Sequence, residues 1–276
     1  MSREYRKTVQ ERIEEKERLG LFNESVEDDP PASEHLPGKA DYLNKKLSSK
    51  INRKIANVLA TNFFEKMIKK GDLVIKGVCG LENFAAVKDR GVIVTCNHFS
   101  IGDSYMIYKV LRRIMPRKWK LFKVIREGNY TGFSGFFGYV FKNCNTLPLS
   151  SNTATMLEFM RAVSVLLKKG EKILVYPEQE MWRDYRKPRP FKVGAFRLAA
   201  KNGVPVLPLF VTMEDTEKLD ADGYPVQAYT VHVLPAIYPK EDLPLKENCE
   251  YLKEENYKTV VELYEKVYGK PLKYGE

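Results

Sequence analysis

At 276 residues, 43% of them hydrophobic and 30% charged, the chain is long enough for one sizeable α/β domain with an appendage and too short for two full enzyme domains. This composition excludes a disordered or membrane-embedded chain, no run approaches the roughly 20 apolar residues needed to cross a bilayer, and Met1 to Gly20 lacks the apolar centre of a signal peptide. The formal charge of +10 suits polyanionic partners such as lipid headgroups, nucleic acid or a phosphorylated cofactor, without choosing among them.

Met1 to about Arg18 is charged and helix-prone, and Asp28-Asp29-Pro30-Pro31 with Pro37-Gly38 reads as a linker, because consecutive prolines stop a helix. From Asp41 to Lys70 the residues Ile51, Ile55, Val58, Leu59, Phe63 and Met67 recur at three- and four-residue spacing among lysines and Arg53, and Gly71 closes the run. This predicts an amphipathic helix whose apolar stripe either packs on the core or lies in a membrane interface. Residues 1–70 are therefore expected to form a helical extension and linker, and 71–276 the enzymatic α/β domain.

Beyond Gly71, short apolar runs alternate with helical stretches. Val92 to Thr95 and Ile173 to Tyr176 are predicted strands, and so is Val204 to Val211 despite its prolines; Asp103 to Ile114, Thr153 to Lys169, Lys192 to Lys201 and Glu250 to Tyr268 are predicted helices. The alternation predicts a mixed, largely parallel sheet flanked by helices. The basic run from Lys109 to Arg126 and the glycine-spaced aromatic run Gly132 to Tyr139 suit a lipid interface, although a partly buried helix would resemble the first and a lining of the substrate site the second. Cys79, Cys96, Cys144 and Cys249 are scattered with no C-x-x-C pair, so neither a disulfide framework nor a cysteine metal site is suggested.

In such sheets the reactive groups gather where a strand ends and a helix begins. Two edges carry ionisable residues: Asn97-His98-Phe99-Ser100-Ile101-Gly102-Asp103 and Tyr176-Pro177-Glu178. A five-residue step on a straight helix would rotate Asp103 by roughly 140° away from His98, so contact between them needs a turn, for which Ser100 and Gly102 are suited. Given that turn, the carboxylate could orient the imidazole as a general base. From spacing alone, a structural histidine and an aspartate that caps the following helix are the commoner roles.

The first edge resembles the N-H-x-x-x-x-D signature of the glycerolipid acyltransferases, the family that includes 1-acylglycerol-3-phosphate acyltransferases. In the family's order, Gly80-Leu81-Glu82-Asn83 is similar to its G-x-E-N, Tyr176-Pro177-Glu178 to its F-P-E-G-T-R, Lys192-Val193-Gly194-Ala195 to its K-x-G-A, and Gly203 to Pro208 to its last block. The resemblance spans roughly Val74 to Val211. It implies an acyltransferase in which His98 is the base, Asp103 orients it, and a lysolipid hydroxyl attacks a thioester carried by acyl-CoA or acyl-carrier protein, with no metal and no further cofactor. It also implies substrate-binding roles for Asn97, Glu178, Lys192 and Gly194, and no role for nucleic acid. The expected place of work is the cytoplasmic, inner face of a membrane, held peripherally on anionic lipid.

Two departures bear on the acceptor. The family's G-T-R is replaced by Gln179-Glu180-Met181, and the stretch Asn145 to Ser150 lacks the arginine expected there. Arg183, Arg186 and Lys187 are the expected substitutes for phosphate binding, since arginine chelates phosphate in a way methionine and serine cannot. Two other classes fit some of the same residues: a metal-dependent hydrolase using His98, Asp103 and Glu178, and a noncatalytic basic membrane-binding protein.

Overall fold

The computed structural model describes residues 3–275. In chain order the helices and strands are α1 (Arg3–Arg18), α2 (Leu47–Lys70), β1 (Val74–Cys79), α3 (Leu81–Ala85), β2 (Val92–Thr95), α4 (Asp103–Leu111), β3 (Leu121–Ile125), α5 (Glu127–Thr131), α6 (Gly135–Asn143), β4 (Thr146–Pro148), α7 (Thr153–Lys168), β5 (Lys172–Val175), α8 (Gly194–Asn202), β6 (Val206–Leu219), β7 (Pro225–Val233) and α9 (Leu245–Tyr268). The strands form one seven-stranded sheet in the order β1-β7-β6-β2-β5-β3-β4. Every neighbouring pair is parallel except β6 with β7, so the sheet is mixed and largely parallel, with helices on both faces.

The central strands are covered on both sides and read as uninterrupted apolar runs rather than alternating ones. Every residue of β2 is buried. Leu174 of β5 and Leu207 of β6 face one core with α4, while Ile173 and Val206 face a second core with α7 and α8. The ends of the helices follow local chemistry. Asn152 accepts the amides of Ala154 and Thr155 to start α7, and Gly71, Gly203 and Gly269 take the left-handed conformation that closes α2, α8 and α9. Gly80 is needed for two reasons: its φ is +73°, and a Cβ there would stand 2.1 Å from the Val233 carbonyl oxygen. Asn83 Nδ2 donates to that same oxygen at 2.9 Å, so the Gly80–Asn83 segment grips the end of β7.

Several elements differ from their sequence reading. The strand predicted over 204–211 starts at Val206 and runs on to Leu219, pairing antiparallel with β7. Strands β1, β3 and β4 escaped periodicity because they are short, edge-placed or interrupted by charged residues, and β7 because Gln227, Thr230 and His232 break up its apolar residues. The helix predicted from Asp41 begins at Leu47, since Asp41 instead accepts the amides of Lys45 and Lys46 in a turn. The helix predicted over Asp103 to Ile114 ends at Leu111, and β3 carries part of the basic run into the sheet, burying Leu121 and Phe122.

Helix α2 uses its apolar stripe in two ways. Phe64, Met67 and Ile68 pack on the core under β1 and α4, whereas Leu47, Ile51, Ile55, Val58 and Leu59 stand exposed. Among the described residues, no helix is long and apolar enough to cross a membrane.

The N-terminal segment wraps back over the strand ends. Val9, Ile13, Phe22 and Val26 form a small core with Trp182, and buried Arg6 pairs with Asp184 at 2.8 Å and with Asp220.

Candidate active site

Strands β2 and β5 are adjacent and parallel, so the residues that follow their carboxyl ends emerge side by side. After β2 the chain makes a turn in which the Asp103 amide donates to the Ser100 carbonyl at 3.2 Å and the Gly102 amide to Ser100 Oγ at 3.2 Å. Gly102 fits closely, because a Cβ there would meet Leu73 at 3.3 Å. This turn swings Asp103, the first residue of α4, back under the imidazole, and His98 Nδ1 lies 2.6 Å from Asp103 Oδ2. Helix α4 receives no side-chain cap, so the carboxylate of Asp103 is committed to the ring.

The other carboxylate oxygen is committed as well. Tyr176, just beyond β5, donates its hydroxyl to Asp103 Oδ1 at 2.6 Å, and its ring stacks on His98 with centroids 4.0 Å apart and planes 12° apart. Burial, followed by the Asp103 charge, pushes the Tyr176 hydroxyl well above its usual range, so it stays protonated and donates. An ionised carboxylate only accepts, which makes Nδ1–H the donor and leaves Nε2 as the basic nitrogen. The His98 side chain is 21% exposed against 3% for Asp103, so the ring is reachable from the cavity while its partner is shielded from water.

His98 borders a cavity of about 1010 Å³. Its walls are largely apolar, with Phe64 of α2, Phe133, Phe136, Phe137 and Val140 of the α5–α6 region, and Met160 of α7. The glycine-spaced aromatic run therefore lines this space. Ser25, Glu27 and Asp29 of the N-terminal segment line it too, a contribution no local pattern signalled.

The remaining candidate residues divide into two groups. Lys192 and Gly194, at the start of α8, line the cavity together with Arg197 and Lys201. Asn97 and Glu178 do not reach it, contrary to the expectation of substrate contact. Buried Asn97 exchanges two hydrogen bonds with the Val211 backbone, at 3.0 and 2.8 Å, and so locks the end of β2 to β6. Glu178 is buried against Arg189, which donates from Nη2 at 2.9 Å, from Nε at 3.2 Å and from its backbone amide at 3.0 Å, and the carboxylate also accepts the His98 amide at 3.3 Å. With Trp182 N–H donating to the His98 carbonyl at 3.0 Å, the second edge fixes the histidine backbone on both sides. Glu178 is thus engaged elsewhere than at the imidazole, and among the described residues no group of His, Cys, Asp or Glu is placed to hold a metal ion.

The expected phosphate substitutes are also spoken for. Arg186 binds Asp215 at 2.7 Å and Gln227 at 3.1 Å, Lys187 binds Glu17 at 2.5 Å, and Arg183 lies 3.9 Å from Asp184. None of the three lines the cavity. The cation that does border it next to this edge is Arg126, at the end of β3, and it is held by Glu180 at 2.7 Å and Asp29 at 2.8 Å. Accordingly, because neither side chain lines the cavity, Arg186→Ala and Lys187→Ala are each expected to leave the KM for a phosphate-bearing acceptor within about twofold. A rise of about tenfold in steady-state assays would restore them as a clamp.

An α/β sheet with a His–Asp pair at one strand end and a largely apolar cavity beside it suits an enzyme that acts on an apolar substrate. The sequence model of the family described as Acyltransferase matches residues 77–212. Chloroplastic 1-acyl-sn-glycerol-3-phosphate acyltransferases of Brassica napus and Arabidopsis thaliana are each 29% identical to the chain, over 145 and 150 residues. Those alignments take in 52% of this chain and 38% and 37% of the relatives' own length. The crystal structure of the 1-acyl-sn-glycerophosphate acyltransferase PlsC from Thermotoga maritima shares the fold, with a TM-score of 0.52 and 22% identity over 80% of this chain and 85% of that one. Residues 77–212 thus match the Acyltransferase family, and over about half of its length the chain is similar to 1-acyl-sn-glycerol-3-phosphate acyltransferases.

Proposed function

We propose that the protein transfers a fatty acyl group from a thioester, acyl-CoA or acyl-carrier protein, to the hydroxyl of a lysophospholipid or related lipid. The observation that carries this reading is the imidazole of His98, oriented through Nδ1 by Asp103 and set in the wall of a cavity large and apolar enough for an acyl chain. Nε2 of His98 takes the proton of the acceptor hydroxyl as its oxygen attacks the thioester carbonyl. The C–S bond then breaks, and the leaving thiolate recovers that proton from the imidazolium. Asp103 and Tyr176 stabilise the imidazolium between the two steps, and no acyl-enzyme and no metal are needed. Lys192, Arg197 and Lys201 supply cations for phosphate groups of the donor or acceptor. We assign the chemistry to residues 71–276, with 1–70 as an extension that completes the cavity wall.

The exposed apolar residues of α2, interleaved with lysines, support work at an anionic membrane surface on the cytoplasmic face, with the protein held peripherally. The test is thiol release from a panel of acyl thioesters offered with different lysolipids, the products being identified by mass spectrometry. Turnover with at least one pair is expected; release independent of every acceptor would replace transfer by hydrolysis. Flotation with liposomes should show binding that strengthens with anionic lipid and weakens with salt, and binding indifferent to both would remove the electrostatic part.

A further inference from the structure

The turn that brings Asp103 to His98 is gripped from behind by a side chain that does not line the cavity. Asp184, beyond β5, takes a left-handed φ of 57°, and its amide donates to the Phe99 carbonyl at 3.0 Å. Its carboxylate is fixed on two sides. Oδ1 accepts the Tyr229 hydroxyl at 3.1 Å, and the Tyr229 ring lies against that of Phe99 with centroids 5.1 Å apart. Oδ2 accepts Arg6 Nη2 at 2.8 Å. Phe99 is buried and directly follows His98, so Asp184 holds the start of the turn through the Phe99 backbone and, by way of Tyr229, through its ring.

Arg6 belongs to α1, outside residues 77–212 that match the family. A guanidinium only 4% exposed at the side chain is costly to bury unless its bonds are well directed, and here they converge on one place. Nη2 binds Asp184, Nη1 binds Asp220 in the β6–β7 turn, and the cation sits over the Tyr224 ring at 4.3 Å. Burial pushes the Asp184 carboxyl up, against the pull of Arg183 and Arg6, so it depends on a counter-ion to stay charged. Arg183 Nε stands farther off, at 3.9 Å. An Asp184 that lost its charge or its place would release the Tyr229 hydroxyl and loosen Phe99. We propose that Arg6 is a positioning residue for the reaction: acting through Asp184 it holds Phe99, and so keeps the turn in the form that sets Asp103 against His98 Nδ1.

A purely structural Arg6 would tie α1 to the hairpin and do nothing more, and its removal would lower stability without reaching the imidazole. The positioning role makes a different demand. The turn's own closing bonds, from the Asp103 and Gly102 amides to Ser100, are long at 3.2 Å each, whereas the His98–Asp103 contact they must support is short at 2.6 Å. A shift at Phe99 is therefore passed on to that pair, and a small misplacement of a reacting group is enough to slow a reaction.

The inference rests on the His98–Asp103 reading of the site and is tested first without turnover. Nitrogen-15 NMR of the full-length protein follows the His98 Nδ1–H, with only His35, His98 and His232 to assign and a His98→Ala spectrum to assign them. A slowly exchanging Nδ1–H is expected in the wild type. In Arg6→Met, and in Asp184→Gly, which keeps the amide bond to Phe99 and tolerates the positive φ, its exchange with water should be about 10-fold or more faster, the scale of one charge-assisted hydrogen bond. Lys7→Met, from an exposed pair on the same helix, should leave it unchanged. Adding Arg6→Met to Asp184→Gly should give no further acceleration, because Arg6 acts through Asp184. In acyl-transfer assays the same variants should lose about 10-fold in kcat with KM within about twofold. Exchange within about twofold of wild type in both single variants, an Arg6→Met effect of equal size in the Asp184→Gly background, or an unprotected Nδ1–H in the wild type would each overturn the positioning role. Should the two single variants fail to fold, Tyr229→Phe, which keeps the ring beside Phe99, decides: faster exchange is expected, and an unchanged rate would overturn the proposal. The expected exchange pattern in a protein that transfers no acyl group would instead count against the proposed function alone.

Discussion

His98→Ala is expected to lower kcat for acyl transfer by about 10²–10⁴-fold, with little change in the affinity for either substrate, because the imidazole is asked to act only as the hydroxyl proton leaves. Asp103→Asn should approach the same loss. An asparagine can offer its amide N–H toward Nδ1, favouring the tautomer in which Nε2 carries the proton and cannot accept another. Tyr176→Phe should cost less. It keeps the ring stacked at 4.0 Å and removes the hydrogen bond to Asp103 Oδ1, worth about tenfold for a bond to a charged group. Single-turnover kinetics on the three variants would test this order, and a fully active His98→Ala protein would remove the site from the chemistry.

Arg189→Met is expected to destabilise the fold by about 3–5 kcal/mol, roughly 10 °C in Tm for a chain of this size. Arg189 is 0% and Glu178 3% exposed at the side chain, so losing the guanidinium strands a buried carboxylate. It also removes the hydrogen bond to the Phe22 carbonyl and the stacking on Trp182 at 4.6 Å, which tie the N-terminal segment to the site. The double variant Glu178→Gln with Arg189→Met should recover part of the loss, since the unpaired charge disappears. Thermal unfolding of the two single variants and the double variant gives the coupling; strictly additive effects would mean that the pair does not act as a unit. A slower enzyme is expected even where folding is retained, because the same carboxylate holds the His98 amide at 3.3 Å.

What the sequence could show was whatever chain-local chemistry encodes. The five-residue step from His98 to Asp103 with a serine and a glycine between them, the apolar runs of β2 and β5, and the glycines after α2, α8 and α9 are each decided by neighbours a few positions away. Such features survive without knowledge of the fold. The resemblance carried further for the same reason, since ordered short motifs retain their spacing.

Partner choice across long separations was not written there. Arg186 and Lys187 looked like part of an anion clamp because they are cations beside the altered motif, yet Asp215 and Glu17, brought from far along the chain, hold them in ion pairs. Glu178 looked like a site carboxylate until Arg189, eleven positions on, proved to be its buried counter-ion. Which cations face the cavity, how the segment from Ser25 to Asp29 helps to enclose it, and where Arg6 meets Asp184 were decided by the tertiary structure. The physical reason is that a polar side chain is assigned by the partner that satisfies it after burial, and that partner is brought by the packing of strands and helices far apart in the chain.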